Sequence, residues 1–141
     1  MRRLRPHELF HFAPDYIAAL VGAVGLLLWL AQLSALAFSN EQIAGGRKVF
    51  ERCRGCHSLG ASQNGVGPTL HNLFGRKAGA VVGYSYSVAM RHAPIVWTQR
   101  TLEHFLANPS LFLPGNKMTS GGVADPDDRR DLLAFLRTAT R

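Results

Sequence analysis

Residues 53–57 read Cys53-Arg54-Gly55-Cys56-His57 and contain both cysteines of the chain. Two thiols three positions apart, followed at once by an imidazole, form the attachment pattern of a c-type haem. The thiols add across the two porphyrin vinyl groups and the histidine offers itself to the iron. One short turn must therefore present three groups to one rigid ring. A covalent haem also brings redox chemistry that side chains alone lack.

Other chemistries use paired cysteines. A zinc site would need two more ligands and would have to recruit them from His7, His11, His71, His92 and His104. A thioredoxin-like redox pair would need a strand–helix–strand setting, which this sequence does not offer.

A chain of 141 residues allows one small globular domain and at most one attached segment. From Tyr16 to Asn40 no residue is charged. The apolar run over 16–38 would form a helix of roughly 35 Å, enough to cross a hydrocarbon core of about 30 Å. Residues 1–15 then form a cytoplasmic N-terminal segment, 16–38 a transmembrane signal anchor, and 39–141 a monohaem domain. Arg2, Arg3 and Arg5 precede the run, and the next basic residue is Arg47. The positive-inside rule places the haem domain on the periplasmic side of the inner (cytoplasmic) membrane, where thiols are oxidised and haem is attached. Ala35-Leu36-Ala37 resembles a signal-peptidase site, but the run exceeds the usual signal core of about 7–15 residues, so an uncleaved anchor is expected.

From Glu41 to Arg141 the chain carries 13 Lys+Arg against seven Asp+Glu, a formal +6. On an exported redox domain this points to an acidic protein partner or anionic headgroups. Export and anchoring argue against nucleic acid.

Local signals describe an all-α domain with long loops. Ser39 with Gln42 fits a capping box, so a helix is expected to start there and run into Cys53, carrying Ile43, Val49 and Phe50. Gly60 to Gly67 cannot be regular structure. Thr98 caps a helix from Gln99 to about Ala107, which Asn108-Pro109 ends. Asp125 and Pro126 open a closing helix to about Thr138 that turns Leu132, Leu133, Phe135 and Leu136 inward. About 100 residues with such loops bury little, so the haem is expected to complete the core, and the domain without it to be largely unfolded.

Electron-transfer haem needs a second strong axial ligand, usually His or Met, and Met raises the reduction potential. The methionines are Met1, Met90 and Met118, the last in the inter-helix loop Leu113-Pro114-Gly115-Asn116-Lys117-Met118. At this point the sequence resembles the class I cytochromes c, in particular the mitochondrial-like group and its membrane-anchored bacterial relatives. The carriers are Gly46-x-x-x-Phe50, Cys53 to His57, Gly67-Pro68-x-Leu70-His71-x-Leu73-Phe74-Gly75-Arg76, Gly83-Tyr84-Ser85-Tyr86, Trp97, Asn108-Pro109, Pro114-Gly115-x-Lys117-Met118 and Asp131 to Leu136.

The resemblance implies one covalent haem c on Cys53 and Cys56, with iron between His57 and Met118. It implies that the Pro68 carbonyl receives the second ring N–H of His57, and that Arg76, Tyr86 and Trp97 meet a haem propionate. It also implies an electron carrier with no small-molecule substrate. The partners would be a cytochrome bc-type donor and a terminal oxidase or photosynthetic reaction centre as acceptor. A fixed subunit of a larger respiratory complex, or a haem peroxidase or sensor, are the competing classes. His71, His92 and His104 are expected to be non-ligands, and Met90 pocket lining.

Three departures stand near Met118. Phe105 replaces the tyrosine usual in mitochondrial relatives, Asn116 their threonine and Met90 their asparagine. A drier methionine side with fewer hydrogen bonds is expected. Arg54, Lys77 and Lys117, near the expected haem edge, are expected to steer an encounter electrostatically.

Overall fold

Two aromatic rings, Phe50 and Phe135, meet with centroids 5.4 Å apart where the helix entering the cysteine motif crosses the last helix of the chain. The computed structural model describes the backbone of residues 13–141 and the side chains of 19–32 and 39–141. Its helices are α1 (Ala13–Phe50), α2 (Val88–His92), α3 (Gln99–Ala107), α4 (Pro109–Phe112) and α5 (Pro126–Ala139). Among the described residues the only β pairing is one isolated antiparallel bridge between Lys77 and Val96. The domain is all-helical, as its local signals indicate.

The chain divides into two compact units after Phe38. Of the anchor expected over 16–38, the side chains of 16–18 and 33–38 lie outside the described residues, as does the segment 1–12. The described stretch is apolar and exposed, with Leu20, Val24, Leu27 and Leu28 each more than half accessible. Among the described residues no helix is long and apolar enough to cross a membrane.

No helix starts at Ser39. α1 is already helical from Ala13 and continues to Phe50. The stretch from Phe38 to Gln42 contains neither proline nor glycine, so nothing halts the helix and the Ser39–Gln42 pair is not a terminus.

The unit Ser39–Arg141 is built on the crossing of α1 and α5. A Cβ at Gly46 would overlap the Asp131 carbonyl oxygen and crowd Phe135, so glycine is what lets the two backbones approach. The Arg47 guanidinium lies over the Phe135 ring, 5.2 Å from its centroid. α3 packs on α5, contributing buried Leu102, Phe105 and Leu106 against Leu132, Leu133 and Leu136. Phe105 also joins Trp97 at 5.1 Å and Phe112 at 6.0 Å, linking the helices to the loop before α3.

Caps explain the boundaries of α3 and α5. The Thr98 hydroxyl accepts from the Thr101 amide at 3.2 Å, and Thr101 returns a bond to the Thr98 amide. Asp125 Oδ1 accepts from the amides of Asp127 and Asp128 at 2.8 and 2.9 Å. Asn108-Pro109 ends α3 but also starts α4, because Asn108 Oδ1 caps the Leu111 amide at 3.0 Å with Pro109 in the first turn. A stop signal for one helix thus serves as the start of the next.

Gly46→Ala is expected to destabilise the haem-loaded protein by about 1–3 kcal/mol in urea unfolding, since a backbone carbonyl cannot rotate away from the added methyl. An unchanged midpoint would remove Gly46 from the crossing. The two amide bonds hold the Asp125 carboxyl below its ordinary value of 3.8. A depressed carboxyl contributes stability above its unfolded-state pKa and loses it as pH falls through the folded-state value. Asp125→Ala is therefore expected to be less stable than the parent at neutral pH, with the gap closing in strong acid; a pH-independent gap would contradict this.

Candidate haem site

The cysteine motif leaves α1 as a tight turn. The Cys56 and His57 amides both reach the Cys53 carbonyl at 3.0 Å, while Cys53 and Arg54 donate to the Phe50 carbonyl at 2.7 and 3.1 Å. The thiols and the imidazole thus hang from one frame continuous with the last turn of a helix. Cys53 packs against the core and Cys56 is exposed. Burial pushes the Cys53 thiol up, with Arg52 opposing that shift and Cys56 adding to it.

His57 Nδ1 lies 2.8 Å from the Pro68 carbonyl oxygen. A carbonyl only accepts, so Nδ1 carries the proton and Nε2 keeps its lone pair for a metal. Gly67 lies directly beneath the ring, where a Cβ would overlap His57 Cε1. The segment bearing Gly67 and Pro68 is itself fixed. Gly67 donates to the Cys56 carbonyl at 2.8 Å and Leu70 to the Ser58 carbonyl at 2.8 Å. Thr69 Oγ1 donates to Gly60 at 2.6 Å, and Asn64 Oδ1 accepts from the Thr69 amide at 3.1 Å.

Met118 packs partly buried against the same core as Cys53. It borders a cavity of about 690 Å³ together with Tyr84 and Lys117. Cys56 and His57 border another of about 680 Å³ with Phe50 and Arg54. Asn116 braces the methionine loop with three bonds. Its Nδ2 donates to Pro109 and Leu113 carbonyls, each at 2.9 Å, and its Oδ1 accepts from the Met118 amide at 2.8 Å. Phe105 offers no hydroxyl beside Met118, and the Asn116 amide, with two donor hydrogens and an acceptor oxygen, supplies the polar contacts of this loop. The sequence carried a signal for this: an asparagine two residues before Met118, in a turn after α4.

Arg76 is half-buried and bonds two carbonyls, His71 at 2.5 Å and Thr69 at 2.9 Å. Among the described residues it has no carboxylate partner. Burial lowers its pKa, while Tyr86 acts to raise it; burial raises that of Tyr86, with Arg76 opposing. Trp97 is buried, and its chain neighbour Val96 forms the bridge to Lys77 already noted. Met90 belongs to the core rather than to an open pocket, and His92 and His104 are exposed.

The expected steering cations are partly committed. Arg54 Nη1 lies 2.9 Å from Glu51 Oε2, and Lys117 Nζ donates to the Ser85 carbonyl at 2.8 Å. Sequence order hides such pairings, since the Lys117 partner lies 32 positions away.

These residues fit a haem. Among the described residues no cluster of His, Cys, Asp and Glu could hold a metal ion by itself. One imidazole with its outer nitrogen occupied and one thioether suit an iron whose remaining ligands come from a porphyrin. Arg76 offers counter-charge to an anionic substituent, and the bare floor at Gly67 leaves the imidazole unobstructed.

Comparison with known proteins agrees. A family model described as Cytochrome c matches residues 43–140. Cytochrome c of Cochliobolus lunatus is 44% identical over 108 residues, spanning 75% of this chain and 100% of that protein. Cytochrome c2 of Rhodomicrobium vannielii is 40% identical over 121 residues, spanning 85% and 92%. The solved structure of cytochrome cH from Methylobacterium extorquens is similar with a TM-score of 0.64 and 41% identity, covering 67% of this chain and 96% of that one.

Asn116→Ala is expected to lower the urea stability of the loaded protein by about 1–3 kcal/mol, because the Met118 amide loses its partner and the Pro109 and Leu113 carbonyls each lose one of two. A loss within error would mean that the loop is held without it. Gly67→Ala should displace the His57 ring and lower the yield of covalently loaded protein by haem staining. Full loading with unchanged spectra would refute the tight floor.

Proposed function

Because the chain belongs to the cytochrome c family, we propose that it is a membrane-anchored carrier passing single electrons between membrane complexes. The family places one covalent haem c on this chain, with its iron. When bound, that group supplies a one-electron couple. Everything else in the proposal concerns what the chain's residues do around it.

Cys53 and Cys56 would hold the cofactor through thioether bonds. His57 Nε2 and Met118 sulfur would bind its iron, and the Pro68 carbonyl keeps His57 in the tautomer this requires. Arg76 neutralises a propionate, with Tyr86 and Trp97 beside it. The observation that carries the reading is the 2.8 Å bond from His57 Nδ1 to Pro68, made by a histidine that directly follows two thiols on one turn. With His57 and Met118 both bound to the iron, no position would be left for a substrate, which favours a carrier over a peroxidase or sensor.

Anchoring is supported by the uncharged run from Tyr16 to Asn40 behind Arg2, Arg3 and Arg5. It would place the haem domain at the periplasmic face, facing a cytochrome bc-type donor and a terminal oxidase or reaction centre as acceptor. Tethering keeps the local concentration high wherever geometry allows contact.

Membrane fractionation with covalent-haem staining tests both parts. The full-length stained band is expected in the membrane fraction, retained through a high-salt wash. Release by salt would contradict the anchor, and a chain without haem stain would contradict the cofactor assignment.

A further inference from the structure

The two cavities that flank the core open onto surfaces of different charge. The His57 side is bordered by Arg47, Glu51 and Arg54. The Met118 side is bordered by Val66, Tyr84, Ser85, Ser110, Asn116 and Thr119, all uncharged. Its single cation is Lys117, whose ammonium is already bonded to the Ser85 carbonyl at 2.8 Å. Next to Ser110, the Leu111 side chain is 78% exposed, and Val66 is also 78% exposed. Val66, which borders the cavity, and Leu111, which follows the lining residue Ser110, thus both expose large aliphatic side chains. This is not what a formal +6 over residues 41–141 would suggest.

Several of the cations are held by contacts with other parts of the chain. Arg52 pairs with Asp128 at 2.7 Å, Arg54 with Glu51 at 2.9 Å and Arg130 with Asp127 at 2.9 Å. Arg129 donates to the Val123 and Ala124 carbonyls, and Arg137 to Gln99. Fields from charges more than about 10 Å away are largely screened at physiological salt. The Met118 opening thus presents the tethered Lys117, with the exposed Arg91 bonded to the Tyr86 carbonyl next to Ser85, in an otherwise uncharged, partly aliphatic rim.

We propose that this rim is the docking face for a redox protein whose own contact surface is uncharged and weakly apolar, so that association there depends little on salt. The inference rests on the electron-carrier reading. An electron leaves by tunnelling, so a partner must come close to the opening beside Met118. A centre depleted of charge and bearing exposed aliphatic groups has the composition of a contact core rather than of a steering rim. A chain held on the membrane beside its partner has less need of long-range electrostatic capture than a freely diffusing one, because tethering already sets the encounter.

Two inorganic oxidants read the local charge directly. Full-length reduced protein in non-ionic detergent is mixed in stopped flow with hexacyanoferrate(III), a trianion, or with tris(phenanthroline)cobalt(III), a trication. In each case one electron leaves the protein and the oxidant metal falls by one oxidation state. Between ~50 and ~500 mM salt, a face carrying about one net charge should change either rate by no more than about tenfold. Opposite changes of about a hundredfold or more would report a strongly basic face and overturn the proposal. Leu111→Lys should steepen both dependences by about threefold or more, while Arg100→Glu, exposed on α3, should not. Equal effects of the two would mean that total charge governs transfer, and would also overturn it.

Native membranes supply the protein partner. Val66→Thr and Leu111→Ser are expected to leave both inorganic rates unchanged but to slow oxidation by the membranes at least about fivefold at high salt. Unchanged membrane rates would remove the apolar docking role. If neither inorganic oxidant takes an electron from the protein, the carrier reading itself falls, which is a different failure from a steep salt dependence.

Discussion

A hydrogen bond from an imidazole to a proline carbonyl organises this domain. His57 can serve a metal only through a ring nitrogen that carries no proton, and the 2.8 Å contact with Pro68 settles that Nδ1 holds the proton and Nε2 the lone pair. The carbonyl is useful only if it stays put. Four further bonds, from Gly67, Leu70, Thr69 and to Asn64, fix the loop that carries it. Gly67 then has no freedom to carry a side chain, since the ring occupies that space. The glycine-rich stretch that looks like slack in the sequence is a cast around one ring.

The two sides of the site are held by different means. On the histidine side the ligand hangs from the end of α1, and that helix is located by its close crossing with α5 at Gly46 and Phe135. On the methionine side no long helix reaches the ligand. α4 has a single turn, and a side-chain amide, that of Asn116, bonds the loop back to Pro109 and Leu113. Helix packing places the turn that bears His57 and hydrogen bonds set its ring, whereas the Met118 loop relies on the Asn116 amide.

How much of this could be read in advance follows from the range of each interaction. Caps are local, so Thr98 and Asp125 marked the starts of α3 and α5 from sequence alone. The start at Ser39 failed because a capping pattern ends nothing when a helix-forming run precedes it. α4 was hidden behind a proline that reads as a stop. Arg76 was legible as a residue of the site, but its bonds to His71 and Thr69 were not, since they depend on a loop folding over. Asn116 was read for what it lacked relative to a threonine, not for the second hydrogen-bonding group it adds. The charge of +6 was legible as a total, while its distribution, with Arg52 paired to Asp128, lies in the fold.

The central claim is that one iron is held between His57 and Met118, and substitution of the sulfur ligand tests it most directly. The measurement is the potential of the loaded protein together with the far-red sulfur-to-iron(III) charge-transfer absorption, for the parent and for Met118→Ala. The account predicts that the parent has the band, that the variant lacks it, and that the potential falls by on the order of 0.1 V or more. A variant that keeps both the band and the potential would place the second ligand elsewhere and contradict the account.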